Sequence, residues 1–111
     1  MSGLDLRHVA AQLHGTRLRG PLIFRDHTTS TNNDASALAG VGAAEGTVVI
    51  AGEQSAGRGR YARSWFGHPD HSLLFSLVLR PALPPGLFPR LVNMIGVGVA
   101  EGCATATGCA V

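Results

Sequence analysis

Apolar residues recur at helical spacing near both ends of this chain and gather into short unbroken runs between them. Leu6, Val9, Ala10 and Leu13 share one helical face, so Leu4 to Leu13 predicts a helix that Gly15 ends. Leu22, Ile23 and Phe24 follow Pro21 and predict a short strand, with a polar loop from His27 to Thr31 behind it. Ser30 or Thr31 is placed to N-cap a helix over Asn33 to Leu38. Asp34 suits the positive end of that helix, and Gly40 and Gly42 stop it. Thr47 to Ala51 is β-branched and apolar and predicts a buried strand. Ser72 to Leu79 is almost wholly apolar, as in a central strand covered on both faces. Beyond Pro81, Pro84 and Pro85, helical spacing returns at Leu87, Leu91, Met94 or Ile95, and Val99, up to about Gly102. Gly102 to Val111 reads as the end of that helix running into a strand that breaks off. The element order, without internal repeats, indicates an α+β fold: a mixed β-sheet flanked by helices.

Composition narrows the function. The chain has 111 residues, enough for one small domain, and a formal net charge of +2, too small to indicate a nucleic-acid partner. All nine basic residues are arginine. A lysine nucleophile or phosphate-binding lysine is therefore excluded within this chain, while the planar arginine fork suits carboxylate and phosphate oxygens. Cys103 and Cys109 lack metal-ligand spacing, and a reduced cytoplasmic setting is the default reading. No signal peptide is visible after Met1, and the apolar stretch from Leu91 to Ala100 is interrupted by Asn93, Gly96 and Gly98, short of a membrane span.

The chemistry concentrates in Glu53 to Trp65 (EQSAGRGRYARSW), directly after the predicted strand Thr47 to Ala51. Gly57 and Gly59 allow backbone N–H groups to approach a ligand, and Arg58 and Arg60 alternate with them. The same turn thus offers backbone and guanidinium donors to an anion. Trp65 adds a flat face for a ring. Taken alone, such a run is as often an exposed flexible loop, and an RG-type nucleic-acid tract is a further reading of it. It lacks the Gly-Lys-Ser/Thr of a P-loop and a following helix of the dinucleotide-binding kind.

The wider constellation resembles the biotin–protein ligases, within the class II aminoacyl-tRNA-synthetase-like biotin/lipoate ligase superfamily. Ser30-Thr31-Asn32, a strand, Gln54, then Gly57-Arg58-Gly59-Arg60-Tyr61-Ala62-Arg63-Ser64-Trp65, and an apolar strand ending in Arg80-Pro81 stand in the family's order from about Phe24 to Pro81. Ala62 departs from that pattern, standing where the family usually has a third glycine.

The resemblance implies ATP-dependent activation of biotin to biotinyl-5′-AMP, with Mg²⁺ on the phosphates, and transfer to a lysine of a biotin carboxyl carrier protein of acetyl-CoA or related carboxylases. It implies biotin contacts from Ser30, Thr31, Asn32, Gln54, Gly57, Arg58, Gly59 and Arg60. It assigns the catalytic cations to Arg58 and Arg60, and the ATP or adenylate contacts to Arg58, Arg60, Arg63 and Trp65. For Ser30 and Thr31 the plainer role is helix capping, for Gln54 a solvated strand end, and for Trp65 core packing. His68-Pro69-Asp70-His71 reads as a solvated turn, and no resident metal site is expected.

The family's downstream Lys-Trp-Pro-Asn-Asp motif does not occur in this sequence. Residues 1–111 are accordingly expected to form one partial catalytic domain, truncated at its C-terminus and weak or inactive alone. About twenty residues precede the first strand, too few for an N-terminal helix-turn-helix domain, and no membrane partner is expected. The resemblance leaves a homodimer open. Two alternatives stand beside it: a lipoate–protein ligase-like adenylating enzyme, and a non-catalytic nucleic-acid or ligand-binding module.

Overall fold

The computed structural model describes residues 5–16, 18, 20–55, 57–58, 64–65 and 72–108, with 57–58 and 64–65 described by their backbone alone. They fall into two compact units divided after Arg80. The first holds helix α1 (Leu6–Leu13), strand β1 (Leu22–Thr28), helix α2 (Thr31–Gly40), strands β2 (Val48–Gln54), β3 (Gly57–Arg58), β4 (Ser64–Trp65) and β5 (Leu74–Leu77). The second holds a 3₁₀ turn at Pro85–Leu87 and helix α3 (Phe88–Thr107).

Helix α1 begins where Asp5 caps it. The carboxylate accepts from the N–H groups of Arg7 at 3.0 Å and His8 at 3.3 Å, two donors that lack intrahelical partners. The core of the first unit is a mixed three-stranded sheet in the order β1-β2-β5. Strands β1 and β2 run parallel, and α2 connects them, as the crossover between parallel neighbours requires. Strand β5 returns antiparallel to β2. Cross-strand partners share a face, so Ser76 and Leu74, opposite Val49 and Ala51, point to the side that α2 covers. Ala35 of α2 packs there on Val49 and Val78, with Leu38 and Ala39 against the same cluster. That i, i+3, i+4 stripe is the apolar face of an otherwise polar helix. Gly20 permits the tight passage before β1: a Cβ there would lie 2.4 Å from Gly46 C and Thr47 N.

Four expectations are revised. Strand β1 extends through His27 and Thr28, which pair with Glu53 and Gln54; the parallel ladder satisfies the backbone whatever the side chains are, so their polarity does not end the strand. Ser72 to Leu79 contributes an edge strand, paired among the described residues with β2 alone. Leu74 and Val78 are buried, but Leu73 is 62% and Phe75 45% exposed, so the run is not covered on both faces. The arginine segment is more than a loop, because β3 and β4 pair antiparallel, Gly57 with Trp65 and Arg58 with Ser64. Finally, α3 continues past Gly102 to Thr107 rather than giving way to a strand. A mid-helix glycine costs only about 1 kcal/mol. The stop is Gly108, left-handed at φ 73°, whose N–H donates to Ala104 O. No helix among the described residues is long and apolar enough to cross a membrane.

Candidate functional site

Strands β1 and β2 end side by side, and in open sheets the carboxyl ends of parallel strands are where ligands bind. The chain leaves β1 at Thr28 and enters α2 at Thr31, with Ser30 as the N-cap. Ser30 is 2% exposed, and its hydroxyl accepts from Asn33 N–H at 3.4 Å. Asp34, in the first turn, accepts a hydrogen bond from the Thr28 hydroxyl, and its Oδ2 lies 3.7 Å from Arg25 Nε. The start of α2 is thus tied to the strand that precedes it.

Gln54 closes β2. Its Oε1 accepts from the backbone N–H of Thr31 at 3.1 Å. A backbone N–H only donates, so this bond fixes which end of the Gln54 amide faces Thr31 and leaves the two N–H donors of Nε2 directed elsewhere. Ser76 of β5 completes the arrangement. Its hydroxyl donates to Asn32 Oδ1 at 2.7 Å and lies 2.8 Å from Thr31 Oγ1. Every buried side-chain polar atom among the described residues has a partner.

Ser30, Thr31, Asn32, Gln54, Leu73, Leu74, Phe75 and Ser76 line a cavity of about 240 Å³. Whole small-molecule pockets span roughly 300–1,000 Å³, so this cup is the size for one end of a ligand. None of the described side chains that line it is charged. The cup offers amide donors, hydroxyl lone pairs and an apolar wall, which suits a neutral polar ring attached to an apolar body.

Four residues singled out in the sequence, Ser30, Thr31, Asn32 and Gln54, are therefore brought together. Gly57, Arg58 and Trp65 lie in the β3–β4 hairpin. Gly59, Arg60 and Arg63, and the His68 to His71 turn, lie outside the described residues. Sequence reasoning missed Ser76 and the wall formed by Leu73, Leu74 and Phe75. The available signal was a single hydroxyl inside the otherwise apolar stretch Leu73 to Leu79. Among the described residues no three His, Cys, Asp or Glu side chains converge on a metal-sized space.

The sequence from residue 24 to residue 108 matches the Biotin/lipoate A/B protein ligase family, a span that takes in most of β1 and all of α2, the cup, the hairpin and α3. The chain belongs to this family. It is also similar to the bifunctional ligase/repressor BirA of Bacillus spizizenii and that of Bacillus subtilis. It is 40% identical to each over 87 residues, covering 78% of this chain and 27% of the relative. The chain thus spans about a quarter of the length of the curated relatives it matches. Family membership makes this a biotin/lipoate-type ligase sequence, and the α+β arrangement agrees with part of such a catalytic domain.

Proposed function

We propose that this chain carries the substrate-head pocket of a biotin–protein ligase. The observation that carries the reading is the neutral, donor-rich cup at the ends of β1 and β2, in which Gln54 is oriented by Thr31 and Asn32 by Ser76. Biotin's ureido ring has one carbonyl acceptor and two N–H donors. The Gln54 and Asn32 amide N–H groups answer the carbonyl, and hydroxyl lone pairs of Ser30 and Thr31 answer the ring N–H groups. The thiophane and the aliphatic tail meet Leu73, Leu74 and Phe75. Lipoate presents a dithiolane with neither carbonyl nor N–H, which would leave those polar groups unpaired, a cost of about 1–3 kcal/mol for each buried one.

The reaction then follows in two steps. A carboxylate oxygen of biotin attacks the α-phosphorus of ATP; the new P–O bond forms as the bond to pyrophosphate breaks, giving biotinyl-5′-AMP. Both reactants are anions, so fixed cationic donors must offset their repulsion, and Arg58, Arg60 and Arg63 are assigned to this role. Trp65 is assigned to the adenine side, and backbone N–H groups at Gly57 and Gly59 to the biotin carboxylate or phosphate. Mg²⁺, when bound, neutralises phosphate charge. In the second step the amine of a carrier lysine attacks the acyl carbon of the mixed anhydride, an amide forms, a proton is released and AMP leaves. A cytoplasmic biotin carboxyl carrier protein is the proposed acceptor. The acceptor lysine belongs to that partner; residues 1–111 contain none.

Biotin-dependent ATP–pyrophosphate exchange tests the reading, measured on the protein at its natural length with biotin and with lipoate. Exchange with biotin and not with lipoate is the expected result. Exchange supported by lipoate alone would replace biotin as the substrate, and exchange with neither would overturn the adenylation.

A further inference from the structure

We infer that Ser76 is the positioning residue that sets the hydrogen-bonding polarity of the cup, and with it the choice of a ureido ring over an isosteric apolar ring. The inference rests on the biotin reading above and goes beyond it to a residue that the arginine motif and the Ser30-Thr31-Asn32 segment do not contain.

The argument is a count of protons. A serine hydroxyl has one hydrogen and two lone pairs. That hydrogen goes to Asn32 Oδ1 at 2.7 Å. The 2.8 Å contact with Thr31 Oγ1 must then be made by the Thr31 proton, donated to a lone pair of Ser76. The hydrogen bonds therefore run one way, from Thr31 to Ser76 to Asn32. Two consequences reach the cup. Thr31, its proton committed, presents only lone pairs to a ligand. Asn32, its oxygen held by Ser76, turns its NH₂ outward. Gln54 is locked in the same sense by a separate bond to Thr31 N–H. The cup consequently shows amide donors and a hydroxyl acceptor, the complement of a carbonyl flanked by N–H groups.

The position of Ser76 supports the same role. Asn32 and Ser76 line both the cup and a second hollow along α2 and β5, so the bond between them stands at the boundary of the two. Register puts Ser76 of β5 opposite Val49, a fully buried residue of the central strand β2. Without that hydroxyl, Asn32 is free to turn about its terminal bond and offer oxygen where nitrogen was.

Ser76→Ala, Ser76→Thr and the parent protein, at natural length, are to be compared by calorimetric titration with biotin, desthiobiotin (which keeps the ureido ring and lacks the thiophane), lipoate and ATP, with a thermal melt of each. Loss of the charge-free hydrogen bonds set by Ser76 should weaken biotin and desthiobiotin alike by about tenfold in Ser76→Ala. ATP affinity should stay unchanged, the ratio of biotin to lipoate affinity should fall by a similar factor, and Ser76→Thr should recover most of the loss. Biotin affinity in Ser76→Ala within twofold of the parent overturns the proposal. So does an equal loss for all four ligands that tracks a lowered melting point and is not restored by threonine, since that marks a merely structural residue. A parent protein that does not bind biotin overturns the functional reading itself, a result separate from either outcome for Ser76.

Discussion

Gln54 Oε1 accepts from the backbone N–H of Thr31 across 23 positions of sequence, and this bond joins the end of β2 to the start of the helix that precedes it. It gives Gln54 two separable jobs: an oxygen that organises the protein and a nitrogen left for a ligand. Gln54→Glu separates them. The carboxylate keeps an oxygen for Thr31 but has no N–H donors at neutral pH. The expected outcome is a ten- to hundredfold weaker affinity for biotin, about 1.5–3 kcal/mol, with a melting point close to the parent's. Titration calorimetry and a thermal melt check it; unchanged affinity removes the Gln54 amide from the ligand contact.

Arg60 is assigned to the adenylate rather than to biotin. Arg60→Gly should therefore speed release of biotinyl-5′-AMP by roughly tenfold or more, equivalent to ~1.5–3 kcal/mol for a charged hydrogen bond, with a smaller effect on biotin affinity. Off-rates of the adenylate and equilibrium titration of biotin give the comparison. Equal retention in both proteins takes Arg60 out of the site.

Arg80 closes the other end of α2. Its Nε donates to Ala43 O at 2.8 Å, and one terminal nitrogen donates to Ala39 O at 2.9 Å and Ala43 O at 2.6 Å. These carbonyls lie at and just past the negative end of the helix, where a cation is favoured. Arg80→Ala should lower stability by about 1–2 kcal/mol, less at high salt, and Arg80→Lys should recover part of it. Urea denaturation at two ionic strengths reads both effects. A loss below experimental scatter at low salt would show that these bonds do not hold the helix end.

Gly20 has no room for a side chain. A Cβ placed 2.4 Å from backbone atoms of Gly46 and Thr47 forces the backbone apart, because no side chain there can swing away. Gly20→Ala should destabilise the protein by roughly 3 kcal/mol, whereas Gly40→Ala, with nothing within 4 Å of its Cβ, should be neutral or slightly stabilising. Equal melting points for the two variants would contradict the close approach.

The parts of this fold legible in the sequence are those whose signal is local. Ser30 announces a helix start by its own side chain, and Thr47 to Ala51 announces a buried strand by β-branching. Ser30, Thr31, Asn32 and Gln54 are grouped through the resemblance to the biotin–protein ligases, although the sequence does not state that Thr31 and Gln54 touch. Ser76 was not recognisable. Its partners are 44 and 45 positions away, and only the antiparallel register of β5 on β2 turns its hydroxyl toward α2. The place of β5 at the sheet edge was hidden for a related reason: an apolar run records that a strand has neighbours to bury against, not how many strands flank it. At the other extreme, Gly102 has a residue type that suggests a helix end, yet α3 passes through it because the left-handed stop falls at Gly108.

Helix α2 is fastened at both ends to the same stretch of chain. Ser76 holds Thr31 and Asn32 at its start, and Arg80 holds Ala39 and Ala43 at its finish. All of these fastenings join parts of the chain 37 to 45 positions apart, so each must close a long loop before it returns any stability. During synthesis β1, α2 and β2 emerge first and have their mutual partners at hand. The Gln54–Thr31 bond can form at that stage, but the bonds that Ser76 makes to Thr31 and Asn32 must wait until the ribosome has released the chain through Ser76, and the far end of α2 waits for Arg80. Ligand recognition is therefore acquired late in the chain's assembly, when its earliest elements are finally pinned by its later ones.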